Sequence, residues 1–240
     1  MRKQPITRRN RRRGSAPATA VVKGGVAALL ADQFFLIAHE DRTGKSRLHP
    51  RATGLGLAAA LLGELMMQGR VRAVDGELFV VNPEPPGDAL AHDVLDLLIA
   101  QRHHRELRTW LAFLAQDAAD RVGERLIRAG VVEPVVRRRL LSTHTLYLPM
   151  NSDQRNQAAW IQVRLANILV QGRVVDITDR ALSGLVAATG LTRHVLWDLP
   201  VHRPGLGHLH SVVESLPTDL RELVDHTEAA VGSVLAAGRR

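Results

Sequence analysis

Apolar and polar positions divide the chain into segments of distinct period. Residues 26–38 (VAALLADQFFLIA) carry a broad apolar face and run into the polar turn Glu40-Asp41-Arg42-Thr43-Gly44-Lys45, so they predict a helix. Residues 55–68 (LGLAAALLGELMMQ) are strong helix formers and apolar almost all round, which predicts a helix buried on every side and stopped by Gly69. Its apolar run, Gly54 to Gly63, ends at Glu64, far short of the ~18 residues that a membrane-spanning helix needs. The pattern then changes to alternation. Arg70-Val71-Arg72-Ala73-Val74 and Glu77-Leu78-Phe79-Val80-Val81 flank Asp75-Gly76, a strong hairpin signal.

Beyond the loop Asn82-Pro83-Glu84-Pro85-Pro86-Gly87, Asp88 is placed to cap a helix over 89–101. Helices are predicted at about 105–116 and 118–129, the second ending at Gly130, and a shorter one at about 134–140 carrying Arg137-Arg138-Arg139. Residues 141–150 (LSTHTLYLPM) read as extended, and Asn151-Ser152-Asp153 cap a long helix over 154–171. Another helix spans 179–189, begun by Thr178 or Asp179; 199–210 (LPVHRPGLGHLH) reads as irregular; and a last helix covers about 218–236. The predicted fold is mainly α: a single helical domain over 20–237 with a buried central helix, surrounding amphipathic helices and short β-hairpins. A helix stopped by glycine and followed by β-branched residues recurs at Gly69, Gly130 and Gly172, as ordinary helix punctuation or as the units of a winged-helix fold.

Charge sharpens this division. The 240 residues carry a net charge of +8, but residues 1–13 alone hold Arg2, Lys3, Arg8, Arg9, Arg11, Arg12 and Arg13 without an acid. Without those seven positive charges the remainder stands at about +1. Residues 1–19 are therefore expected to be a basic, disordered arm, and its Arg8, Arg9, Arg11, Arg12 and Arg13 an electrostatic tether for polyanions. Lys23, Gly24, Gly25 and Asp32 interrupt the apolar stretch behind the arm, so a cleaved export signal is not expected. The absence of cysteine excludes disulfides, zinc ribbons and thiol catalysis, and aromatics at 3% argue against base-stacking platforms.

Motifs for catalysis are missing. Gly54-Leu55-Gly56-Leu57-Ala58-Ala59 resembles a dinucleotide fingerprint, yet no buried strand precedes it, and close helix packing accounts for its small residues. His103-His104 would point their rings about 100° apart on a helix, His208-x-His210 has no carboxylate close in sequence to complete a metal site, and neither HExxH nor GxSxG occurs. The reading is a non-enzyme that needs no cofactor or metal.

The stretch from Phe35 to Val81, FFLIAHEDRTGKSRL followed by GLGLAAALLGELMMQGRVRAVDGELFVV, resembles the start of the Golgi phosphoprotein 3 family, in the manner of its bacterial members. The resemblance continues through Arg121-Val122-Gly123-Glu124-Arg125-Leu126 with Gly130-Val131 and through Thr178-Asp179-Arg180-Ala181-Leu182, covering roughly residues 26–200. It implies a mainly helical, non-enzymatic adaptor, cytoplasmic and peripherally associated with the membrane. Such an adaptor binds acidic phospholipid (phosphatidylinositol 4-phosphate in the eukaryotic members) and holds protein clients.

In the family, a tryptophan and three arginines form the lipid site. An ungapped alignment places His49, Ala58, Asp120 and Gly123 there, so none of the four is kept. Arg51, Arg121 and Arg125 are the neighbouring headgroup candidates, the last two one helical turn apart and able to fork a phosphate. Paired to Glu124 or Asp120 on a solvated helix face, the same two residues are structural. The segment resembling the family's hairpin, Thr145 to Asn156, brings Leu146, Tyr147, Leu148 and Met150 as candidates for membrane contact or self-association into a homo-oligomer. The alternative is a winged-helix-like DNA-binding protein with nucleic acid as its partner; the near-neutral folded part weighs against it.

Overall fold

The computed structural model describes residues 29–139, 142–171, 176–196 and 202–238. The basic arm lies outside them. Helix α1 (Leu30–Ala38) leads through a turn to α2 (Pro50–Met67), and the first hairpin follows as β1 (Val71–Val74) and β2 (Glu77–Val80). Three helices come next: α3 (Ala89–Ala100), α4 (Leu107–Leu114) and α5 (Ala118–Arg128). A second hairpin, β3 (Val132–Arg139) and β4 (Ser142–Pro149), separates them from α6 (Ser152–Gln171). The chain closes with α7 (Ile177–Thr189), α8 (Thr192–Leu196), α9 (His202–Glu214) and α10 (Thr218–Ala237). Among the described residues the architecture is mainly helical with two antiparallel two-stranded ribbons.

Helix α2 is the axis of the packing. Every residue from Ala52 to Met66 is buried, and α1, α3, α4, α5, α7 and α10 all pack on it. A helix apolar all round must be enclosed in this way. Its small residues set how near the neighbours come: a Cβ on Gly54 would stand 2.4 Å from the Ala115 carbonyl oxygen, and one on Gly56 would stand 2.3 Å from the Phe34 ring. The helix begins five residues before its expected start because Pro50 occupies the first turn, where a missing N–H costs nothing.

Two of the glycine stops have the expected geometry. Gly69 and Gly130 take φ of 66° and 70°, and Arg70 and Val131 donate back to the Leu65 and Leu126 carbonyls at 2.9 Å in both cases. This is the Schellman arrangement, which needs a residue free of the Cβ clash. Gly172 falls outside the described residues. The Asp75-Gly76 turn has φ of 54° and 78°, the mirror-image turn that two-residue hairpins favour. Its register pairs Val71 with Val80 and Val74 with Glu77.

Three expectations are corrected. Residues 132–139 form a strand and not a helix over 134–140, paired from Val132 opposite Pro149 to Arg139 opposite Ser142. Four valines at 131, 132, 135 and 136 favour extended backbone, and Pro134 is tolerated because a two-stranded ribbon consists only of edges. The hairpin therefore lies at 132–149, and the expected segment Thr145 to Asn156 divides between β4 and the first turn of α6. Finally, residues 202–210 are helical and not irregular. Pro204 sits in the first turn of α9, and the burial of Leu209 and Val212 against the body supplies what local propensity lacks.

Packing around α2 makes a direct forecast. Gly54→Val drives a branched side chain into the Ala115 backbone, so it should cost about 1–3 kcal/mol and lower the thermal midpoint by several degrees. Gly87→Ala, where an added Cβ meets nothing within 4 Å, should leave the midpoint unchanged in the same calorimetric scan.

Candidate functional site

The three headgroup candidates occupy three different environments. Arg125 is inside the protein, only 7% exposed. Its Nε donates to Asp32 Oδ1 at 2.8 Å, Nη1 to Glu64 Oε2 at 3.1 Å and to Asp88 Oδ2 at 3.0 Å, and Nη2 to Glu64 Oε1 at 3.2 Å. Two of these carboxylates also close helix ends. Glu64, on α2, accepts the Ala31 N–H at 2.7 Å in the first turn of α1, whose own N-cap, Leu29, offers no side-chain acceptor. Asp88 caps α3 by accepting the Ala91 N–H at 2.8 Å. One guanidinium on α5 thus joins the capping groups of two other helices, using the planar fork that arginine provides.

Three carboxylates face one cation here, and burial dominates the chemistry of two of them, Asp32 and Glu64. Desolvation pushes Asp32 and Glu64 up from the ordinary carboxylate range, more than Arg125 pulls them down. Burial works against the charge on Arg125 too, but Glu64, Asp32 and Asp88 outweigh it and hold the guanidinium charged. No edge of this arginine is left for a phosphate.

Arg121 is half-buried and bonded through Nη2 to Asp93 Oδ2 on α3 at 3.2 Å. Arg51 is different. It is exposed in the first turn of α2 and has no carboxylate in ion-pair range among the described residues. It lines an open hollow of about 480 Å³ with Pro50, Leu55, Ala112, Gln116 and Val234. The three candidates do not converge: the hollow includes Arg51 and neither of the other two.

The hairpin candidates also divide. Tyr147 is buried: its ring meets Phe35 edge-on at 5.4 Å, and its hydroxyl donates to Asp120 Oδ1 at 2.9 Å. Burial, the hydrogen bond to Asp120 and the nearby acids push its phenol up. A Cβ on Gly123 would lie 2.6 Å from the Tyr147 ring, so the missing side chain makes room for it. Asp120 and Gly123, the two α5 positions aligned with family arginines, are therefore the seat of Tyr147. Leu146 and Leu148 are half-buried, and Met150 is 48% exposed.

Sequence reading passed over Trp160, which is 70% exposed on α6. A signal was available. The buried stripe of α6 runs through Ile161, Leu165, Ile168 and Leu169, and Trp160 lies off it by helical spacing. Asp32, Glu64 and Asp88 were also missed as a set, because they are far apart in sequence. The tether residues Arg8 to Arg13 lie outside the described residues. No described helix is long and apolar enough to cross a membrane.

The fold and these placements can be set beside known proteins. The family model for Golgi phosphoprotein 3 (GPP34) matches residues 30–227, most of the chain. The chain belongs to the Golgi phosphoprotein 3 family. A comparison with curated proteins gives no match. Within the family's span, Arg125, Glu64 and Asp88 lie inside the matched region, and Arg51 opens the helix that the rest of the domain encloses.

Removing the guanidinium isolates two buried acids, Asp32 and Glu64. Arg125→Ala should destabilise the fold by about 3–5 kcal/mol at neutral pH. The sign with pH follows from the raised carboxyls: their neutral forms are preferred in the folded state, so the stability they contribute is full below the ordinary carboxylate range and falls as pH rises through the raised values. The deficit of Arg125→Ala should therefore shrink on acidification towards the ordinary carboxylate range, measured by urea unfolding at a series of pH values.

Proposed function

We propose that this Golgi phosphoprotein 3 family member is a non-enzymatic, cytoplasmic adaptor that attaches peripherally to membranes by binding acidic phospholipid and holds a protein client there. One observation carries the reading. Arg51 stands unpaired by any described carboxylate at the N-terminal turn of α2, on the rim of a hollow whose walls include Leu55 and Val234. A helix N-terminus favours anions, and an apolar wall beside the cation suits the boundary between headgroup and acyl chain. The exposed Trp160 adds a ring of the kind that prefers such a boundary, and Met150 adds an exposed apolar side chain.

Charge supplies the rest. Each basic residue near an anionic surface contributes about 1 kcal/mol at most, so the seven charges of residues 1–13 are enough for attachment without headgroup recognition. The four family ligand positions hold His49, Ala58, Asp120 and Gly123, which favours charge-driven binding over selection of phosphatidylinositol 4-phosphate. The test is flotation with liposomes that are neutral, generically anionic or doped with phosphatidylinositol 4-phosphate, at low and physiological salt. The full chain should float with both anionic compositions and release as salt rises, and a chain beginning at residue 14 should float much less. Unchanged flotation after loss of residues 1–13 would contradict the tether. A phosphoinositide requirement in the shortened chain would replace charge-driven attachment with headgroup recognition.

A further inference from the structure

A second hollow, of about 300 Å³, opens between the β1–β2 hairpin and the C-terminal end of α3, and it shares no lining residue with the Arg51 hollow. Its interior is apolar. Leu78, Leu98 and Trp110 are buried beneath it, and Phe79 and Ile99 form its walls. Its mouth is basic: Arg102, His104 and Arg105 line it and are exposed. The Arg105 guanidinium lies 5.0 Å above the centre of the Phe79 ring, a stacking that holds the plane of its donors.

Two features leave this cluster open to an anion. Neither Arg102 nor Arg105 has a carboxylate in ion-pair range among the described residues, and both border the same apolar hollow. The loop that carries them is also fixed at both sides. Leu78 N–H donates to the Arg105 carbonyl at 2.7 Å, and the Trp110 indole donates to the His104 carbonyl at 2.8 Å. The indole thereby links the floor of the hollow to its basic rim.

We propose that this hollow binds a phosphomonoester carried on a small apolar body. Two guanidinium groups and an imidazole above an apolar floor match that chemistry: the phosphate meets the planar donors and the body displaces water from Phe79, Ile99 and Trp110. The volume lies at the small end of ligand sites, which fits a ring or a short branched chain and excludes a nucleotide. This site does not depend on the membrane reading, since its residues are distinct from Arg51 and from the arm.

The Trp110 indole N–H resonance of the full-length protein reports on the site, because the indole lines the hollow and donates to the His104 carbonyl of its rim. Phenyl phosphate should shift that resonance saturably, and inorganic phosphate and phenol should each need at least tenfold higher concentration. Arg102→Ala with Arg105→Ala should raise the half-saturating phenyl phosphate at least tenfold with an unchanged melting temperature. Ile99→Glu, which puts a negative charge on the wall of the hollow, should do the same. A Trp110 resonance that phenyl phosphate leaves unmoved, or moves equally in both variants, overturns the proposal. Displacement of phenyl phosphate by phosphatidic acid vesicles, and not by phosphatidylglycerol vesicles, assigns the ester to a lipid; no displacement by either assigns it to a soluble compound.

Discussion

Arg125 and its three carboxylates are the interaction on which the arrangement of the other helices rests. Helix α1 starts without a cap of its own, and Glu64 reaches over from α2 to provide one. Asp88 caps α3 from the loop before it. Both carboxylates lie in or beside an apolar core where an isolated charge is unstable, and one guanidinium from α5 satisfies both along with Asp32. Three segments distant in sequence, α1, the start of α3 and α5, are thereby fixed relative to α2. Hydrophobic burial encloses α2, but burial has little direction. The directional bonds to Arg125 select which neighbour sits where.

This use of arginine determines what is left for binding. Inside, Arg125 is consumed by structure, and Arg121 on the same helix is tied to Asp93. The face of α5 that would carry the family's arginines instead receives Tyr147, through the space at Gly123 and the acceptor at Asp120. Among the cations without a described acid partner, Arg51 at the start of α2 and Arg102 and Arg105 after the end of α3 line hollows. Each of these borders a hollow with apolar walls. A nearly neutral fold can thus present local positive charge at two separate places.

Much of this was legible in the sequence, and the reasons are physical. The 55–68 stretch reads as enclosed because it is apolar on every face, and α2 is enclosed. Asp75-Gly76 reads as a hairpin because it can take positive φ at both residues, which it does. Segments whose conformation is decided by tertiary contact read poorly. Residues 202–210 have proline and two glycines, yet Leu209 packing holds them helical. Residues 134–139 look helical from their arginines, yet cross-strand pairing to 142–147 holds them extended.

The site was less legible than the fold. Spacing along one helix placed Arg121 and Arg125 together, but it carries no information on Asp32, Glu64 and Asp88, which come from other elements and turn Arg125 inward. The most direct test of the account is the partition of the full-length Arg51→Glu variant onto anionic vesicles at low salt, with thermal melting followed on the same samples. Reversal of one charge at the headgroup boundary should lower partition about tenfold and leave the melting temperature unchanged. Partition equal to that of the unaltered protein would contradict the assignment of the Arg51 hollow as the lipid-facing surface of the fold.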